Sequence, residues 1–142
     1  MTREEKIRIG LICPYCDEKP ERIDSDAIYS KSYGDILICK PCRAWVGIHR
    51  SGENKGKPLG RLADAKLREA KKEAHRYFDQ LWRRKMRCQG ISKMKARNAA
   101  YDWLAGEMEM SREICHIGMM NERQCELVIF ICKPFFREED DF

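Results

Sequence analysis

Two cysteine pairs near the N-terminal end constrain the fold of this chain more than any other feature. Cys13 and Cys16 flank Pro-Tyr, Cys39 and Cys42 flank Lys-Pro, and 22 residues separate the two pairs. Each C-x2-C turn directs two thiolates toward one point, and two such turns complete a tetrahedron around a metal ion. Four thiolates leave no vacant position. The sequence therefore predicts one structural Zn²⁺, bound by Cys13, Cys16, Cys39 and Cys42, with no metal-activated water.

Two alternatives to this site follow from the same stretch. A redox C-x2-C pair normally begins a helix that follows a strand, and neither pair here has that context. His49 follows Cys42 by seven residues and is an alternative ligand in place of one cysteine. Because four cysteines already suffice, the favoured interpretation of His49 is a histidine at the edge of a strand.

The remaining four cysteines are weaker candidates for chemistry. Cys125 and Cys132 are seven residues apart and share a helix face, and with Cys115 and His116 they would form a second metal site. No further C-x2-C pair supports this, so buried thiols are the favoured interpretation of Cys115, Cys125, Cys132 and Cys88. The adjacent Cys115 and His116 point in different directions on a helix, which disfavours a nucleophile–base pair.

Short β-prone runs and a later helical period divide the chain. Three runs around a turn at 32–35 predict strands at residues 23–29, 36–39 and 44–49. Residues 51–60 are rich in Gly, Pro, Asn and Lys and predict a linker. The predicted fold is α+β, with a zinc ribbon of short antiparallel strands at 1–50 and about three helices within a helical region at 61–134.

The first predicted helix spans residues 63–86, with Asp64 either as its N-cap or as an acidic residue in its first turn. Its apolar stripe comprises Leu67, Ala70, Ala74, Tyr77, Phe78, Leu81 and Trp82. Ser92 is predicted to cap a second helix that ends near residues 106–110. The side chains predicted to face its core are Met94, Ala100, Tyr101, Leu104 and Met108.

Capping residues also predict the C-terminal elements. Ser111 is expected to start a short helical turn, and Asn121 with Gln124 resembles a capping box for a last helix. Lys133-Pro134 ends that helix, since proline cannot continue it. Residues 135–142 are predicted to form an acidic, frayed tail.

The net charge of +5 is distributed unevenly. Residues 1–60 carry a net +2, residues 61–97 a net +9 and residues 98–142 a net −6. Between Asp79 and Asp102 there is no acidic residue. The seven basic residues in that interval are Arg83, Arg84, Lys85, Arg87, Lys93, Lys95 and Arg97. They are the candidate nucleic-acid-binding residues of this sequence.

Helix electrostatics explain only part of this basic segment. Cations at the end of a helix offset its macrodipole, whereas residues 93–97 lie at a helix start, where cations are disfavoured. Contact with phosphates accounts for them, and a solvated helix face is the alternative. Tyr15, Tyr33 and Trp45 either stack on bases or, as we favour, pack within a thin ribbon core.

Several classes of protein are not expected. No apolar run is long enough to span a bilayer, and the charged N-terminus lacks the features of a signal peptide. We therefore expect a cytoplasmic location, in which cysteines stay reduced. Paired carboxylates, a phosphate-binding glycine loop and an open metal site are all missing from the sequence. The chain is expected to be non-enzymatic and to have no small-molecule substrate.

Six motifs, in their order along the chain, resemble a family of phage and prophage zinc-finger-containing proteins. They are CPYC at 13–16, CKPC at 39–42 running into AWVGIH at 44–49, PLG at 58–60, AHRYFDQLW at 74–82, YDWLA at 101–105 and CHIGM at 115–119. The resemblance implies a phage or mobile-element origin and a ribbon followed by helices. It supplies no catalytic residues, so it supports the architecture more than an activity.

Two functions remain in view at this stage. In the first, the chain binds nucleic acid, with the ribbon as a rigid platform and residues 83–97 contacting phosphates. In the second, it is a protein-binding module that acts on a host or phage protein. The acidic end of the chain favours the second function, because it repels phosphate.

Overall fold

The computed structural model describes residues 1–140 and confirms an α+β fold. Four α-helices are α1 (Arg3–Arg8), α2 (Ala65–Gln89), α3 (Lys93–Met108) and α4 (Glu122–Cys132). Three strands are β1 (Glu21–Asp24), β2 (Asp35–Cys39) and β3 (Ala44–Gly47). The chain divides into two compact units, Met1–Arg68 and Glu69–Phe142. None of the helices in the described part of the chain has the length and apolar character that crossing a bilayer requires.

The strands form one antiparallel sheet in the order β1-β2-β3. Ile23 pairs with Ile36, and Leu37 pairs with Val46. The prediction of a strand over residues 23–29 is wrong beyond Asp24. There the Asp24 side chain accepts a hydrogen bond from the Asp26 N–H at 2.9 Å, which starts a 3-10 turn at Ser25–Ala27. Aspartate favours such local turns over continued strand pairing.

Residues 51–60, predicted as a linker, are joined by backbone pairing to the first unit. Ile48 pairs with Pro58, and the Leu59 N–H donates to Gly47 O at 2.9 Å. Trp45 exchanges two 3.1 Å hydrogen bonds with Ala63. The core of this unit comprises the buried residues Cys13, Cys39, Ala44, Val46 and Leu62. It is small, so a bound metal would contribute much of its stability.

The predicted caps of the helices are confirmed. The Asp64 side chain accepts from the Leu67 N–H at 2.9 Å at the start of α2, and the Ser92 side chain accepts from the Lys95 N–H in α3. Asn121 and Gln124 form the capping box of α4. Ser111 caps a 3-10 turn at Arg112–Ile114. Short-range patterns therefore located the helix starts closely.

Two sequence predictions for the second unit differ from the structure. Met94 was predicted to face the core but is 73% exposed, because it lies two positions from the buried Ala96 and therefore on the opposite face of α3. The tail predicted as frayed is held in place up to residue 140. Gln80 is buried and exchanges hydrogen bonds of 2.8 and 3.0 Å with the backbone of Arg137. Asp141 and Phe142 lie outside the described residues.

Candidate metal centre

The four predicted cysteine ligands come together at one point. Their sulfur atoms all lie within 4.8 Å of one another, and the Sγ atoms of Cys16 and Cys39 are 3.6 Å apart. Zn–S bonds of about 2.3 Å in a tetrahedron place ligand sulfurs about 3.8 Å from one another. The observed cluster therefore matches the dimensions of a four-thiolate zinc site.

Both cysteine pairs fold into turns of the same kind. In the first turn, the Tyr15 N–H donates to Cys13 Sγ at 3.4 Å. The residue after each pair has a left-handed backbone, with φ of 63° at Asp17 and 53° at Arg43. This reversal turns the chain away immediately after the second cysteine of each pair, which leaves both thiols on the inner side.

The helix α1 is attached to the first of these turns. The Arg3 guanidinium donates to Pro14 O at 2.7 Å and forms an ion pair with Asp17 at 2.9 Å. This contact lowers the pKa of the Asp17 carboxyl, because Arg3 hydrogen-bonds its ionised form. Arg3 therefore links three parts of the ligand-bearing segment: the helix, the peptide group of Pro14 and the strained Asp17.

The environments of the four thiols explain why a bound cation would stabilise the cysteine cluster. Burial raises the pKa of Cys13, and the hydrogen bond with Cys16 raises the pKa of Cys42. The backbone N–H of Glu18 lowers the pKa of Cys16, which favours a first thiolate there. Four adjacent thiolates repel one another, and a bound Zn²⁺ removes that penalty and displaces their protons.

The alternatives for the remaining metal-ligand residues receive no support. Among residues 1–140, the four cysteines form the one cluster suited to a metal, so His49 is not part of it. Cys115, Cys125 and Cys132 are buried thiols, as favoured. The same interpretation is wrong for Cys88, which is exposed near the C-terminal end of α2.

The seven predicted nucleic-acid residues do not form one stripe. Arg84 and Arg87 pair with Asp140 at 3.6 and 3.5 Å, and Arg83 lies 3.9 Å from Asp79. Lys85 lines a separate apolar groove, and Lys95 is exposed two positions from Lys93, on another face of α3. Lys93 and Arg97 line a common cavity.

That cavity, of about 550 Å³, contains basic groups that sequence reasoning missed. The guanidinium groups of Arg97 and Arg112 lie 5.9 and 5.1 Å from the ring centroid of Tyr101. His116 and Lys93 also line it. Arg112 lies in a stretch of sequence with a net negative charge, so the distribution of charge along the sequence did not indicate it as a candidate. The CHIGM motif, which begins at Cys115, was the available pointer to His116.

The electrostatics of this cavity are consistently positive. Desolvation, followed by the charges of His75, Arg97, Lys71 and Arg112, lowers the pKa of His116. Arg112 is oriented by hydrogen bonds of 3.0 Å to Asp102 and 3.3 Å to Asn98. No carboxylate among residues 1–140 forms an ion pair with Lys93 or Arg97. These two cations are therefore available to an external anion.

The ribbon aromatics also differ in their environments. The Tyr15 hydroxyl accepts from the Asp64 N–H at 3.2 Å, which ties this ring to the start of α2. Tyr29, Tyr33 and Trp45 instead line a cavity of about 450 Å³. The structure thus separates Tyr15 from the other two aromatic residues singled out in the sequence.

The fold and the cysteine geometry define a class of protein. Four cysteines in two tight turns beside a three-stranded antiparallel sheet make a closed site, in which zinc holds the fold together. The chain belongs to a family of proteins with a zinc-finger-containing domain, whose family model matches residues 9–134. No curated protein and no solved structure matches the chain.

The left-handed backbone conformation of Asp17 and Arg43 should reduce the stability of the first unit. Arg43→Gly should raise the free energy of unfolding by about 1 kcal/mol, since a left-handed backbone costs roughly 1–2 kcal/mol for a residue with a Cβ and none for glycine. Denaturant unfolding of the zinc-loaded protein measures this. Asp17→Gly is the matched variant. It should gain less, because it also removes the Arg3 ion pair. A loss of stability in Arg43→Gly would contradict the assignment of strain.

Proposed function

We propose that this protein is a small non-enzymatic zinc-ribbon protein that binds nucleic acid. The observation that carries the proposal is the cavity lined by Lys93, Arg97, Arg112 and His116, which we call the basic cavity. Phosphate groups bind where several cationic donors converge and are not all paired with carboxylates. Lys93 and Arg97 supply unneutralised charge, and Arg112 supplies a guanidinium already held in orientation by Asp102 and Asn98.

The rest of the chain fits a supporting role in this function. The four-cysteine site holds the ribbon in shape, and its closed ligand set leaves no position for a substrate. No disulfide joins any of the eight cysteines, all of which lie within residues 1–140, and this suits a reducing cytoplasm. A phage or mobile-element origin rests on the resemblance of the six sequence motifs alone.

A charge-reversal experiment tests the basic cavity. The double variant Lys93→Glu/Arg97→Glu should bind a labelled oligonucleotide at least about tenfold more weakly at roughly 50 mM salt. The slope of log affinity against log salt should also shrink, by about 0.9 per lost phosphate contact on duplex and about 0.7 on single strands. Fluorescence anisotropy across a salt series gives both quantities.

Lys95→Glu is the matched control for each of the single variants Lys93→Glu and Arg97→Glu, since it makes the same charge change on another face of the same helix. It should retain nearly the wild-type affinity and slope. A loss of affinity in Lys95→Glu equal to that of either single variant would point to net charge rather than to the basic cavity. Absence of binding by the wild-type protein at low salt would contradict the proposed function altogether.

A specific surface feature favours the second candidate function, docking on a host or phage protein. Phe130 is 76% exposed on α4, and Leu127, one turn earlier, is also exposed. A contiguous patch of large, exposed apolar side chains commonly marks a protein interface. This function becomes the leading one if no oligonucleotide binds, and Phe130 is then the first residue to mutate in a search for partners.

A further inference from the structure

The loop between β1 and β2 holds two exposed tyrosines in a defined conformation. Ser25 is buried, and its N–H donates to Gly34 O at 2.9 Å. The Ser25 hydroxyl accepts from the Tyr33 N–H at 2.7 Å, and Ser25 O accepts from the Tyr29 N–H at 2.9 Å. The loop backbone that carries both rings is therefore ordered before any ligand arrives, which reduces the entropy lost on binding.

These rings and Trp45 line the cavity of about 450 Å³, which we call the aromatic cavity. The Tyr29 centroid lies 5.4 Å from the centroid of Tyr33 and 5.4 Å from that of Trp45, at interplanar angles of 85° and 88°. Tyr29 is 41% and Tyr33 48% exposed, whereas side chains that serve a core are buried. Tyr29 and Tyr33 are thus partly accessible to solvent.

The charges around the aromatic cavity indicate which ligand it suits. The Arg68 guanidinium lies 3.6 Å from the Trp45 centroid, and the Lys31 ammonium lies 5.3 Å from the Tyr33 centroid. Arg50 also lines the cavity. The carboxylate of Asp35, on the same lining, is paired with Arg22 at 2.9 Å. Because the chain's own cations already approach the ring faces, the cavity disfavours a cationic ligand and favours a flat, negatively charged one.

We propose that the aromatic cavity binds an unpaired base of single-stranded nucleic acid. Tyr33 is the principal stacking ring, and Lys31 and Arg50 lie where the adjoining phosphates would pass. The proposal rests on the proposed nucleic-acid function, but it uses a different surface from the basic cavity. Bases within a duplex are stacked on their neighbours and cannot present a free face, so this site selects single strands with little preference for sequence.

The test compares single-stranded and duplex probes of equal length. An oligothymidylate of about 12 nucleotides falls within the site sizes of single-strand-binding folds. The wild-type protein should bind it at least about tenfold more tightly than the duplex, and Tyr33→Ala should remove that difference, as loss of one stacking ring predicts. Tyr33→Phe retains the ring and should keep the preference. Circular dichroism and zinc content establish that each variant is folded.

A second readout separates stacking from general affinity. A 2-aminopurine placed in the oligonucleotide should lose fluorescence on binding to the wild type and should stay bright with Tyr33→Ala. Equal wild-type affinity for the two probes, or a preference and quenching that survive in Tyr33→Ala, would overturn the stacking proposal and leave the basic cavity as the binding site. Binding of neither probe would overturn both proposals. If Tyr33→Ala does not fold, Tyr33→Leu, which keeps an apolar side chain but has no aromatic ring, replaces it with the same expected results.

Discussion

Cys39→Ser should release zinc and unfold the first unit. Cys39 is buried, at the end of β2, and its sulfur lies 3.6 Å from Cys16 Sγ. Serine cannot supply the fourth thiolate, and structural zinc contributes an apparent binding free energy of about 10–16 kcal/mol in small zinc-binding peptides. Elemental analysis should therefore find about one zinc per chain in the wild type and close to none in the variant.

Cys88→Ser is the matched control for this experiment. Cys88 is an exposed thiol outside the cluster, so its replacement should leave the zinc content and the unfolding transition unchanged. Zinc retained by Cys39→Ser would contradict the ligand assignment. A wild-type content near two per chain would mean that other cysteines also bind metal.

The second large effect concerns the core of the helical unit. Phe78 is fully buried on α2, and its ring centroid lies 4.5 Å from that of Tyr101 on α3. Phe78→Ala should lower the free energy of unfolding by about 3–5 kcal/mol, since it leaves a cavity and ends this aromatic contact. For a unit of this size, such a loss lowers Tm by at least about 12 °C, which thermal unfolding followed by circular dichroism measures.

Phe130→Ala makes the same chemical change at a surface position. Phe130 is 76% exposed, so this variant should stay within about 0.5 kcal/mol of the wild type. A similar loss in both variants would show that Phe130 is buried in solution, for example against a second copy. A small effect of Phe78→Ala would contradict the packing of α2 on α3.

Local patterns predicted much of this structure, because their causes are local. The zinc ligands follow from the spacing of two C-x2-C pairs, and the helix starts follow from Asp64, Ser92 and Asn121. Each cap and each C-x2-C turn depends on residues within a few positions of one another, and only the meeting of the two cysteine pairs is long-range. By contrast, α1 was not predicted, although Thr2 and Glu5 form a capping box at its start, so a local signal for this helix was present in the sequence.

The distribution of charge along the sequence gave a wrong prediction for basic residues whose acidic partners are distant in sequence. The segment from Arg83 to Arg97 contains no acidic residue, yet the single carboxylate of Asp140, near the far end of the chain, pairs with both Arg84 and Arg87. Arg112 acquires its place beside Tyr101 only through the fold. A count of charges along a sequence cannot show which of the charged side chains converge in space. The basic cavity could therefore be identified only from the structure.

Zinc K-edge X-ray absorption on the purified protein tests the four-cysteine centre most directly. The account predicts a single shell of four sulfur ligands at about 2.3 Å, with no nitrogen or oxygen at about 2.0–2.2 Å. That result would establish the closed thiolate site that the cysteine geometry implies. A shell containing nitrogen or oxygen would contradict it, because histidine, carboxylate or water would then have taken the place of a cysteine.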